Sequence, residues 1–126
     1  MAIFRRIIAK DREFLWHYGF DSDDYQCDSQ IVIKDCGRKG KMVIRFRSGC
    51  SEYGYCPFNK GLRAVKDGEE TIINLNRPKH IAEILIHILD SRLRDDGLDT
   101  SVEYRDGIEI LAELGYSFNY HLVWNV

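Results

Sequence analysis

N-R-P-K-H-I-A-E-I-L-I-H-I-L-D-S-R-L-R-D-D-G, residues 76–97, carries the most regular pattern in this 126-residue chain. Ile81, Ile84, Leu85, Ile88, Leu89 and Leu93 recur at intervals of three and four, so at about 100° per residue they share one side of an α-helix. Ala82 and Ile86 widen the stripe, while Lys79, Glu83, His87, Asp90 and Arg94 fall opposite. The spacing predicts a central helix over 77–95. Asn76 is placed to cap its first amides, and Pro78 has no amide to lose there. Arg92 and Arg94 meet the negative end of the dipole, and Gly97 is the expected stop. Such a stripe requires a sheet or another helix to cover it.

Upstream, the period changes to two. Ile31 and Ile33 alternate with Val32 and Lys34, and after C-G-R-K-G a second run, 42–47, does the same, which predicts a β-hairpin over 30–47. With Ile31, Ile33, Met42, Ile44 and Phe46 turned to the core, Lys34, Arg45 and Arg47 share the opposite face, and Arg38, Lys39 and Lys41 sit at the tip. Residues 48–61 show neither period and read as a long loop of the kind that often binds. Asp67-Gly68 marks a tight turn before a strand-like run at 71–75. Residues 2–18 fit a helical stripe through Phe4, Ile7, Ile8, Phe14, Leu15 and Tyr18 better than a strand, with Gly19 as stop; 21–29 reads as an acidic connection.

Downstream, Thr100 and Glu103 fit a capping box for a further helix through Tyr104, Ile108, Leu111 and Leu114, stopped by Gly115. Its rival is a hairpin around Asp106-Gly107. Alternation of Phe118, Tyr120, Leu122, Trp124 and Val126 with Ser117, Asn119, His121, Val123 and Asn125 predicts a half-buried strand over 117–126. The expected fold is α+β: a mostly antiparallel sheet packed against two or three helices in a single domain, 1–126.

Composition supports an ordinary soluble domain, with 44% hydrophobic and 30% charged residues. No apolar run approaches the roughly 20 residues of a membrane span, so no membrane partner is expected. The opening M-A-I-F-R-R lacks the pattern of a secretory signal, and the expected location is cytoplasmic. A net charge of −2 conceals an uneven distribution. Nine lysines and arginines but only Asp35 and Glu52 lie between Lys34 and Lys66; twelve carboxylates and five cations follow from Asp67 onward. A basic middle beside an acidic half points to a sided surface suited to an anionic partner.

Four cysteines, Cys27, Cys36, Cys50 and Cys56, lie within thirty residues, separated by eight, thirteen and five others. Zinc knuckles present close pairs such as C-x2-C, so these cysteines are weak zinc candidates and fit better as small buried hydrophobes. No cofactor is expected. His80 and His87 are seven residues apart, about 10.5 Å along a helix, too far for one metal ion. They read as part of a solvated helix face on which Glu83 and His87 pair. Arg92 falls inside the apolar stripe, so it must snorkel or meet a carboxylate. G-x-S-x-G, Walker, H-E-x-x-H and G-x-G-x-x-G motifs are absent, which disfavours an enzyme.

Three readings follow. The favoured one is a small binding module that contacts nucleic acid through Lys34, Arg38, Lys39, Lys41, Arg45 and Arg47, with Tyr53, Tyr55 and Phe58 stacking on bases. The second is a protein-interaction or inhibitor module anchored by the 48–61 loop, homo-oligomer formation being its simplest case. The third is a thiol enzyme using Cys50 or Cys56.

Overall fold

The computed structural model describes residues 3–22, 26–49, 56–94 and 97–118. Strands β1 (Arg5–Ala9) and β2 (Arg12–Ser22) form an antiparallel hairpin where the sequence suggested a helix. Two facts defeat the helical stripe. Lys10 and Asp11 both take positive φ, 53° and 60°, closing a two-residue turn whose twist matches the strands. The residues that are buried, Ile7, Ala9, Phe14, Trp16 and Tyr18, alternate at period two, while Ile8 stays 61% exposed. Lys-Asp lacks the Asn-Gly signature of such a turn, so nothing local announces it.

The 30–47 hairpin is present and longer than expected: β3 (Gln26–Asp35) pairs antiparallel with β4 (Lys41–Gly49), and β3 also pairs with β2. Much of the expected 21–29 connection is therefore strand. The 48–61 segment also opens as strand, and after 50–55, outside the described residues, it closes on a single helical turn, α1 (Pro57–Lys60). Strands β5 (Leu62–Lys66) and β6 (Glu69–Ile73) flank the Asp67-Gly68 turn as expected, with Gly68 at φ 79°.

Helix α2 (Pro78–Ile88) follows, and Leu89–Leu93 continues it as a wider π turn. Ile81, Ile84, Leu85, Ile88 and Leu89 are fully buried, each worth about 1.5–3 kcal/mol, as the stripe requires, but Ile86, expected to widen it, is exposed. The helix ends also differ from the expectation. Arg77 occupies the N-cap position, while the Asn76 side chain bonds Asn59 and Asn74. The stop is Arg94, left-handed at φ 53° with its amide on the Leu89 carbonyl; Gly97 instead packs against Asp35.

The capping box and the rival hairpin both fail. Val102–Tyr104 is a strand, β7, that adds parallel to β4, and Asp106-Gly107 opens a shorter helix, α3 (Gly107–Glu113). Gly107 is there because β4 runs directly beneath it: a Cβ would lie 2.5 Å from the Phe46 ring. Gly115 does stop the helix, at φ 99°, before β8 (Tyr116–Ser117). The rest of the expected 117–126 strand, from 119 on, lies outside the described residues.

The architecture is α+β, with strands in the orders β1-β2-β3-β4-β7 and β6-β5-β8. Among the described residues, only the β4–β7 pair is parallel. The inner face of the five-stranded sheet meets α2, α3 and the smaller sheet in a continuous core that includes Trp16, Phe46, Phe58 and Ile84. Alternation along β2, β3 and β4 turns Leu15, His17, Val32, Val43 and the cationic residues to the other face.

Candidate functional site

On that outer face the register sets side chains in rows. One row runs Leu15, Lys34, Lys41; the next His17, Val32, Val43, Glu103; the third Gly19, Gln30, Arg45; the last Asp21, Asp28, Arg47. Phe4 extends the second row, its ring centroid 5.7 Å from that of His17. Lys34 holds its ammonium 4.2 Å from the Phe4 ring centroid. Lys34 and Lys41 face each other directly, a like-charge pair that is unfavourable across strands.

The arginines are held in a particular way. Arg47 donates from Nε to Asp28 Oδ1 (3.2 Å), Arg105 from Nε to Glu103 Oε2 (2.8 Å), and Arg45 from Nε to Glu103 Oε1 (3.3 Å) and from Nη1 to Gln30 (3.1 Å). Arg105 and Arg45 together hold the Glu103 carboxyl below the usual carboxylate range. Pairs this exposed contribute little to stability, because solvent screens them. Their larger effect is orientation. Each guanidinium is anchored through Nε, which leaves terminal nitrogens for a further acceptor. Asp28, Arg45, Arg47 and Arg105 line a recess of about 340 Å³. A second recess of about 270 Å³, lined by Gly19, Phe20, Asp21, Asp28, Gln30 and Arg45, adjoins it. Gly19 contributes no side chain to this face, which is why the surface sinks there.

Of the sequence candidates, Arg45 and Arg47 meet at this recess, Lys34 and Lys41 flank the Phe4–His17 row, and Arg38 pairs with Asp99 at the hairpin tip (3.3 Å). Lys39 is exposed at the same tip. Phe58 must be withdrawn as a base-stacking residue: it is fully buried between Phe46 and Phe118, because the α1 turn folds it into the core. Tyr53 and Tyr55 lie outside the described residues. Arg105, Phe4 and Gly19 were missed. Arg105 is brought in by the parallel β4–β7 pairing, for which no local pattern exists.

The cysteines separate. Cys27 stands at the start of β3 and Cys36 just past its end, about 30 Å apart at 3.3 Å per residue, so one ion with bonds of about 2.3 Å cannot take both. Cys27 and Cys56 are buried, and Cys36 is exposed. Burial raises the nearby Tyr18 hydroxyl to about 12 against its bond with Ser29, Cys56 and Cys27 adding to the rise. Cys50 lies outside the described residues. Among the described residues, no three His, Cys, Asp or Glu side chains are grouped so as to hold a metal ion.

The expected solvated face of α2 is partly wrong. His87 pairs with Glu113 (2.7 Å) rather than with Glu83, and Arg92 meets carboxylates as the stripe required: both oxygens of Asp106 (3.1 and 2.8 Å) and Glu113 (2.8 Å). Arg92 thus ties the end of α2 to α3, and its guanidinium holds Asp106 below the usual carboxylate range.

His80 is 1% exposed, neither ring nitrogen makes a well-formed hydrogen bond, and Glu83 Oε1 is 3.8 Å away. Glu83 is taken instead by Lys66 and the Tyr116 hydroxyl. Burial lowers the His80 pKa despite the Glu83 charge, while Lys79 and Arg77 oppose protonation too. A histidine with a folded pKa below its unfolded value stabilises fully above about 6.5, and that stability is lost as the pH falls through the folded value. The melting temperature is therefore expected to fall between pH 7.5 and pH 5.5, and His80→Leu to reduce that fall. An unchanged pH dependence in the variant would show that His80 is not its source.

No protein-family model, curated protein or solved structure matches the chain. Among the described residues, no helix is long and apolar enough to cross a membrane.

Proposed function

We propose that this chain is a small binding module that receives a phosphate-bearing partner, nucleic acid, on the outer face of its five-stranded sheet. The observation that carries this reading is the convergence of Arg45, Arg47 and Arg105 on one recess, each anchored through Nε, with Arg45 also giving Nη1 to Gln30 and keeping Nη2 for a further acceptor. A guanidinium fixed in this manner matches the paired oxygens of a phosphate with little further loss of freedom. Lys34 and Lys41 extend the positive field two rows along the sheet. The protein-interaction reading loses one of its anchors, since Phe58 is buried.

Binding is expected to weaken steeply with salt, as displaced counterions dictate. Changing Arg45 and Arg47 together to alanine should lower the slope of log K against log salt by about 1.4 for a single strand, at roughly 0.7 per phosphate contact. Fluorescence anisotropy with labelled oligonucleotides from about 50 to 200 mM salt measures this. If neither single-stranded nor duplex nucleic acid binds at the lowest salt, the proposal fails.

A further inference from the structure

The cationic residues lie on both sides of a row that is not cationic at all. Phe4, His17, Val32 and Val43 run across four neighbouring segments, with Lys34 and Lys41 in the row on one side and Arg45, then Arg47, on the other. Rows are two residues apart, about 7 Å along the strands. All four side chains are half-buried. In the next row, the recess of about 270 Å³ lined by Gly19, Gln30 and Arg45 adds a hollow. A Cβ on Gly19 would stand 3.4 Å from His17 Nε2 and begin to fill it.

A duplex offers a sheet only its phosphates and groove edges, because its base faces are already stacked. An aromatic row between two cationic rows suits a chain whose bases are free and whose phosphates lie to either side. Resting on the reading of this face as a nucleic-acid surface, we infer that the ligand is single-stranded: a base stacks on Phe4 and His17, a neighbouring phosphate takes the forks of Arg45, Arg47 and Arg105, and the phosphate on the other side meets Lys34 and Lys41. Lys34 now lies over Phe4. A base arriving on that ring displaces its ammonium toward the backbone, so the cation–π contact of the free protein is exchanged for a phosphate contact in the complex. Asp28 and Glu103 keep their places in this exchange, since they hold the arginines through Nε.

The test compares a single-stranded decanucleotide with the duplex of the same sequence at about 100 mM salt, using the full chain and the variants Phe4→Ala, His17→Ala and Phe4→Trp, each checked for fold by circular dichroism. The expected result is tighter binding of the single strand. Each alanine variant should weaken that binding by about five- to a hundredfold, the range typical of one lost stacking partner, while Phe4→Trp retains it. Because the two alanine changes lie on different segments, failure of one variant to fold leaves the other to decide. Equal affinity for duplex and single strand, with binding unaffected by loss of either ring, would overturn the single-strand inference and leave the phosphate-binding face standing. No salt-sensitive binding of either form would remove both.

Discussion

Asp35→Ala is expected to lower the stability of this protein by about 3–5 kcal/mol, the range found when one partner of a buried charged network is removed. The carboxyl has no exposed side-chain surface, yet it stands at a junction of three segments. One oxygen accepts the Gly37 amide at the hairpin tip (2.8 Å) and an Arg12 nitrogen from β2 (3.1 Å); the other accepts the amide of buried Leu98 (2.7 Å). Alanine would leave those donors without an acceptor, each at about 1–3 kcal/mol where water cannot enter. Burial alone would raise the Asp35 carboxyl, but the Leu98 and Gly37 amides and Arg12 outweigh it and hold it below the usual carboxylate range. A carboxylate depressed in the folded state contributes fully above its unfolded pKa of about 3.9, and the contribution disappears as the pH falls through the folded value.

Urea titrations at pH 7 and pH 3 should therefore show a large gap between the natural chain and Asp35→Asn at pH 7, narrowing at pH 3. A loss below about 1 kcal/mol for Asp35→Ala at pH 7 would mean that the junction does not depend on this carboxylate. The consequence reaches the outer face. Leu98 leads into β7, and β7 carries Glu103 and presents Arg105 beside Arg45. On the proposed reading of the outer face, a loosened junction should weaken nucleic-acid binding even though Asp35 faces the other side of the sheet.

Gly40→Ala is expected to destabilise by about 1–3 kcal/mol or more, and for a different reason. A Cβ at Gly40 would lie 2.5 Å from the carbonyl oxygens of both Leu98 and Thr100. These are backbone atoms, and no rotamer change relieves the clash; the chain between α2 and β7 has to move as a body. The same movement breaks the bond from the Gly40 amide to the Leu98 carbonyl (2.9 Å). Because Asp35 and Gly40 grip the same residue from two sides, the double variant should fall short of the sum of its parts. Thermal melts of the two single variants and the double variant check this. Strict additivity would indicate two independent sites.

The parts of this fold that could be read directly are those with a period. The α2 stripe and the alternation of β3 and β4 need only neighbours in sequence, because one face of each element meets the core whatever that core consists of. The Asp67-Gly68 turn has its own backbone chemistry. Arg45 and Arg47 became candidates for the same reason: once a hairpin is assumed, period two places them on one face.

The remainder depended on contacts between distant residues. Phe58 could have been an exposed anchor or a core residue; the packing of α1 against Phe46 made it core. His80 joined the buried side of α2 because β6 and β8 close over it, a fact its own helix does not record. Lys10-Asp11 became a hairpin turn only because Phe14, Trp16 and Tyr18 needed the inner face of a sheet that β3 completes. The third arginine of the recess follows directly on β7, whose Glu103, a partner of Arg45, is 58 residues away from it. Amphipathic periodicity determined by the sequence specifies which side of an element is buried. Which side chains then share one recess is a matter of strand order and register, and these are decided only when the whole core packs together.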